Sequence, residues 1–308
     1  MPERGGVTRN LAKIVNRRIG AWRGDQPTSP KPPPVRKSEG RSLQESKLAA
    51  AISSKLEASN FRATVRLLCS ENTPAPSNKD TLKALQSKHP TACTNRHTSF
   101  DPFKTNNSRF QALQIPPEDM IKCLRSFPRE SSGGPNGITP QHLQDMFSGA
   151  TDEKLKNAIT DFVNILLEGN LPLAARQIIF GGRLIALQKK DGGICPIAIG
   201  YTLQRLAAKC ANSFVIARRG IELKPIQVGV CVSGGAEAIV HVTRRIVSEL
   251  LIGHVMVKLD FTNAFSSVRR DAILDRVADK LPELYKFVYA SHECDSKLTF
   301  GTSTILVR

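Results

Sequence analysis

The chain has 308 residues, enough for one large or two ordinary domains, and an apolar share of 40% that supports a core without filling a membrane. No run approaches the roughly 18 consecutive apolar residues of a spanning helix, and Met1-Pro-Glu-Arg-Gly-Gly lacks the apolar heart of a signal peptide. The net charge of +17 points to a polyanionic partner, nucleic acid or an anionic membrane surface, with a basic linker on an ordinary domain as the plainer alternative. Seven cysteines at 69, 93, 123, 195, 210, 231 and 294 form no Cys-x-x-Cys. Their odd count argues against a disulfide framework and for a reducing, intracellular setting, nuclear or cytoplasmic.

Residues 1–44 carry ten Lys/Arg against three Asp/Glu, together with Pro30-Lys31-Pro32-Pro33-Pro34. That composition cannot offset ordering entropy and predicts a basic disordered tail. Residues 45–70 predict amphipathic helix, with Leu48, Ile52 and Leu56 at spacing four and Val65, Leu67 and Leu68 after them. A short helix bearing Leu82 and Leu85 follows, and another enters at Ile115-Pro-Pro-Glu-Asp and stops at Pro128. Together, 45–130 read as a helical extension.

Ser131-Ser-Gly-Gly-Pro-Asn-Gly-Ile138 predicts a firm loop, with Thr139 as N-cap and Pro140 as the first helical residue. A helix over 153–168 shows the apolar stripe Leu155, Ile159, Phe162, Val163, Leu166 and Leu167. Residues 183–199 predict a β-hairpin turning at Asp191-Gly192, and Pro196 places its second strand at an edge or irregular position. Helices are expected over 202–217 and 236–251, the second burying Ile239, Val242, Ile246, Val247 and Leu250. A strand at 255–260, a helix at 268–281 and a hairpin around Gly301-Thr302 complete an α+β chain.

On the predicted strand, Lys258 and Asp260 share the face opposite Val257 and Leu259. A carboxylate where a buried strand meets a loop can hold a divalent cation, with the Phe261 carbonyl as a second oxygen; a turn former or helix cap is the structural alternative. Phe265 could wall a sugar pocket or lie in a core. Arg183, Lys189 and Lys190 on or beside the hairpin turn could neutralise phosphates, and Arg205, Lys209, Arg244 and Arg245 could line a nucleic-acid groove. Each of these also reads as a solvated basic residue. His89, Cys93 and His97 lack the fourth ligand and the tight pairing of a closed zinc site.

Five segments, in order over residues 45–308, resemble the reverse transcriptase of a non-LTR (LINE-type) retrotransposon: 132–140, 182–200, 201–210, 227–237 and 258–271. The resemblance implies an incomplete right-hand polymerase fold. Its parts would be the helical extension at 45–130, a fingers-like region at 131–254 and an incomplete palm at 255–308, with no thumb. It makes Asp260 the first catalytic carboxylate, a ligand of Mg2+, and Phe265 the screen of the sugar 2′ position. Lys189 would meet the phosphates of a deoxynucleoside triphosphate, and the partners would be an RNA template and a DNA primer. Two departures weigh against catalysis. Cys195 stands where the family generally has arginine, and no Tyr/Phe-Ala-Asp-Asp turn occurs in the 308 residues. The expectation is therefore a truncated RNA-directed DNA polymerase that does not polymerise alone. The alternatives are a non-catalytic RNA- or DNA-binding remnant and an incomplete domain with exposed apolar strand edges.

Overall fold

The computed structural model describes residues 41–57, 61–69, 73–89, 101–104, 108–128, 130–147, 153–189, 192–219, 226–230, 232–261, 264–293 and 295–307. Outside them lie residues 1–40 of the basic tail, Lys190, Asp191, Cys93, His97 and the side chain of Phe265. The chain divides into two compact units, 1–71 and 72–308. The segments expected as late extension, fingers-like region and palm belong together in the second.

The first unit contains α1 (Arg41–Glu57) and α2 (Phe61–Cys69), packed on each other. Helix α1 starts four residues before the expected tail boundary. Its Leu48 and Leu56 are exposed, as are Phe61, Val65 and Leu68 of α2, while Thr64 is buried.

The second unit starts with β1 (Thr73–Pro74), α3 (Lys79–Lys88), α4 (Pro117–Arg125), α5 (Pro140–Met146), α6 (Glu153–Glu168) and α7 (Leu173–Ile179). The hairpin β2 (Gly182–Gln188) and β3 (Ile194–Gly200) follows, then α8 (Thr202–Arg219), α9 (Gly235–Ser248) and the single turn α10 (Ala264–Ser267). Helices α11 (Arg270–Lys280) and α12 (Tyr285–His292) precede the hairpin β4 (Ser296–Phe300) and β5 (Ser303–Val307). The architecture is mixed α+β with an open sheet.

Strand β2 organises that sheet. It pairs antiparallel with β3 along its whole length, from Gly182 opposite Gly200 to Gln188 opposite Ile194. On its remaining edge it pairs parallel with β4 at Gly182 and Arg183, and antiparallel with β1 at Leu187 and Gln188. This leaves β3 at the rim, as Pro196 predicts. The turn between β2 and β3 closes through Lys189 N donating to Gly193 O at 2.8 Å, with Gly192 at φ +78. A positive φ strains a side-chain-bearing residue and suits glycine.

Two main cores form. One joins Met120 and Leu124 of α4 with Val163, Leu166 and Leu167 of α6 and Leu206, Ala207 and Cys210 of α8. In α6 Val163, Leu166 and Leu167 belong to the stripe expected from the sequence, whereas Phe162, expected with them, is 38% exposed. The other packs Leu85 of α3 against Leu184 and Ala186 of β2 and Leu298, Phe300 and Ile305 of the last hairpin. A third cluster joins Phe110, Leu274, Tyr285 and Tyr289.

Two expectations fail. Residues 254–261 form no strand and are all exposed. Alternation predicts a strand only where an edge is free to pair and one face is covered, and no strand among the described residues pairs with this segment. Helix α9 forms as predicted, but the apolar stripe expected in a core is open: Ile239 is 49%, Val242 57% and Ile246 48% exposed. Among its described residues only Gly235 is buried.

Candidate nucleic-acid interface

The loop before α5 is the structural hinge of the site. Gly137 sits at φ +74, and its N–H donates to Gly134 O at 2.9 Å. The Asn136 side-chain oxygen accepts from Ile138 N at 3.2 Å, so the position needs a short side chain ending in an acceptor, which Asn and Asp supply equally. Helix α5 then starts as predicted. Thr139 Oγ1 accepts from His142 N at 3.2 Å, and His142 Nδ1 accepts from Thr139 N at 3.3 Å, a reciprocal cap with Pro140 at the first turn.

This loop is clamped onto the junction of β3 and α8. A Cβ on Gly134 would lie 2.6 Å from Gly200 O and 2.8 Å from Tyr201 Cα, so backbone meets backbone there. Thr202, 1% exposed, donates its hydroxyl to Ile138 O at 2.5 Å. Arg205 Nη1 donates to Ser132 O at 2.6 Å, and Arg183 Nη2 makes a long bond to Gly133 O at 3.5 Å. Three of the segments singled out in the sequence therefore form one bonded assembly, with two of the candidate cations on one loop.

Phe127, from the end of α4, completes it. The Arg205 guanidinium carbon lies 5.5 Å from the Phe127 ring centroid and Lys209 Nζ lies 5.0 Å from it, one helical turn further along α8. Such stacking holds a cation in place for about 0.5–1 kcal/mol at a partly exposed site while leaving its charge available. Burial also lowers the Arg205 pKa from its ordinary value. Phe127 carried no signal of its own in the sequence; the i, i+4 spacing of Arg205 and Lys209 was the only hint of a shared platform.

Arg183 also lines a cleft of about 440 Å³ bounded by Pro74, Pro135, Thr299, Phe300 and Gly301. Lys189 is exposed at the hairpin tip. It lies six residue steps along the strand from Arg183, roughly 20 Å, so the two do not share a pocket. Arg244 and Arg245 are exposed on α9, and Arg245 Nε pairs with Glu249 at 3.1 Å.

Asp260 and Phe261 lie in the exposed segment after α9, with Phe261 76% exposed, and the backbone of Phe265 lies in α10. Among the described residues no group of three or more His, Cys, Asp or Glu stands together. A lone exposed carboxylate and a carbonyl are too few hard oxygens for the pair of Mg2+ ions that the resemblance implies, so the donor set present does not fit them.

Comparison with protein-family models and with curated proteins returns no match. Among the described residues no helix is long and apolar enough to cross a membrane.

Proposed function

We propose that this chain is the template-handling, fingers-side portion of a non-LTR retrotransposon reverse transcriptase, and that its own activity is binding of RNA and DNA strands rather than nucleotide transfer. The observation that supports this reading best is the clamped loop, with Arg183 and Arg205 on its carbonyls and Arg205 and Lys209 over Phe127. Phosphates along a strand are neutralised by cations held in register, and a stacked, hydrogen-bonded arginine loses little entropy on doing so. Lys189 adds a more distant charge at the hairpin tip. Among the described residues no group of three or more His, Cys, Asp or Glu includes Asp260, and phosphoryl transfer of this type needs further carboxylates to hold its cations.

The reading is tested by anisotropy with a labelled primer–template at several salt concentrations. Binding should weaken linearly in log–log form, by about 0.7–0.9 per phosphate contacted. Arg183→Gln with Lys189→Gln should weaken it about tenfold and lower the salt slope by about two. Salt-insensitive binding, or no effect of the pair, would remove nucleic acid as the partner. Robust primer extension by the 308-residue chain with Mg2+ and all four deoxynucleotides would overturn the non-transferring part.

A further inference from the structure

One edge of β2 is interrupted. There β4 pairs only at Gly182 and Arg183, and β1 only at Leu187 and Gln188. Between them Leu184 and Ile185 have no strand partner on that edge among the described residues. The cleft of about 440 Å³ opens at this interruption, with both residues in its lining. Its volume falls in the range of sites for one small ligand, roughly 300–1,000 Å³. A Cβ on Gly301 would lie 3.7 Å from Ser77 Cβ, so the β4–β5 turn meets the loop after β1 and closes one side. That closure favours entry of a strand end over passage of a continuous strand.

The polar groups of the cleft suit an anion. Arg183 is exposed, and its bond to Gly133 O, at 3.5 Å, is long enough to leave most of the guanidinium for a ligand. Ser77 is exposed, and its hydroxyl has no hydrogen-bond partner among the described residues. Among the described residues no carboxylate lines the cleft, while Pro74, Pro135 and Phe300 supply apolar walls. Arg183 and Arg205 bond the consecutive carbonyls of Gly133 and Ser132, so the cation at the cleft and the cation on Phe127 are anchored on neighbouring residues of one loop. A strand crossing the platform is thereby led to the cleft. A terminal phosphomonoester carries about 1.5 to 2 negative charges at pH 7, against one on an internal phosphodiester. An arginine with a hydroxyl donor and no carboxylate beside it selects the more highly charged group.

We propose that this cleft is a strand-end site: it receives the terminal nucleotide of a single strand, with the phosphomonoester on Arg183, Ser77 as a second donor, and the base or sugar against Pro74, Pro135 and Phe300. The inference rests on the nucleic-acid reading and adds to it the part of the strand that the chain holds.

The test is anisotropy at fixed salt with single-stranded DNA of about 12 nucleotides. Each oligonucleotide ends in a 5′-phosphate, 5′-hydroxyl, 3′-phosphate or 3′-hydroxyl and carries its label at the opposite end. One phosphorylated end should bind about tenfold tighter than its hydroxyl counterpart, the worth of one charge-assisted hydrogen bond. Arg183→Gln removes the cation and Ser77→Phe sets a ring in the cleft; each should abolish the preference. Both positions are exposed, so both variants should keep the circular dichroism of the wild type. Salt-dependent binding with equal affinity for every end overturns the inference and leaves the nucleic-acid reading standing. Binding of no oligonucleotide overturns both. A preference that survives in both variants overturns it too, because the end then sits elsewhere. A nucleoside 5′-monophosphate that binds as tightly as the phosphorylated strand would make a free nucleotide the occupant and overturn the strand-end assignment.

Discussion

Gly134→Ala probes the coupling on which the interface rests. The added methyl would lie 2.6 Å from Gly200 O, 2.8 Å from Tyr201 Cα and 3.0 Å from Gly200 C. Those atoms belong to the backbone where β3 becomes α8, so no side chain can swing aside. Either the loop or the junction must retreat by several tenths of an ångström. Overpacking of this kind costs about 1–3 kcal/mol. A retreat also stretches the Thr202–Ile138 bond, which starts at 2.5 Å and is buried, adding about 1 kcal/mol. The sum, about 2–4 kcal/mol, should appear in urea unfolding as a lower midpoint at unchanged slope. A separate readout is primer–template affinity under native conditions, which should fall because Arg205 loses its Ser132 anchor. Stability within about 0.5 kcal/mol of wild type, together with full affinity, would refute the idea that close backbone contact holds the loop.

Two further changes address the scaffold. Arg176 is only 12% exposed and does three things: it pairs with Glu293 at 2.5 Å, donates Nε to Leu171 O at 2.7 Å, and lies 4.8 Å from the Phe103 ring centroid. Arg176→Met keeps the packing stem but should cost about 2–3 kcal/mol, seen as a melting point lower by roughly 5–10 °C. His292 is held with Nδ1 against Val288 O at 2.9 Å, and desolvation, joined by nearby Arg270, lowers its pKa from the ordinary value. Desolvation lowers that of His89 too. The unfolded chain therefore takes up these protons first as pH falls, and stability present above about pH 6.5 declines below it, toward the folded-state values. His292→Asn should flatten urea midpoints measured between pH 7 and pH 5; an unchanged profile would show that His292 does not set it.

The local parts of this fold were legible because their causes are local. The close approach of Lys189 to Gly193, with Gly192 at positive φ, accompanies the β2–β3 register, and Thr139-Pro140 starts α5. The apolar period of α6 names the buried Val163, Leu166 and Leu167 but also Phe162, which is exposed. The strand expected at 255–260 was misread because alternation describes a segment, whereas pairing needs an edge elsewhere to receive it. The same limit applies to α9, whose stripe is amphipathic whether its cover is this chain or another. Strand β1 lies in a Pro-rich stretch with no strand pattern of its own, yet both its residues pair with β2. Arg176 carries no signal in the sequence, because its partners Glu293 and Phe103 are distant along the chain. Of the candidate site, Arg183, Arg205 and Lys209 were named from sequence; their shared loop and the Phe127 platform depend on long-range packing.

The placement of β2 has a consequence for how the chain is made. Its parallel partner lies far along the sequence: Thr299 Oγ1 bonds Gly182 O across 117 residues. At ribosomal speeds of about 5–20 residues per second, that edge stays bare for on the order of ten seconds after β2 emerges. Throughout that interval the nascent hairpin presents unsatisfied backbone to any neighbouring chain on the same message. Slowing translation after residue 200 should therefore lower soluble yield unless a chaperone shields the edge, an effect that has nothing to do with the stability of the finished molecule.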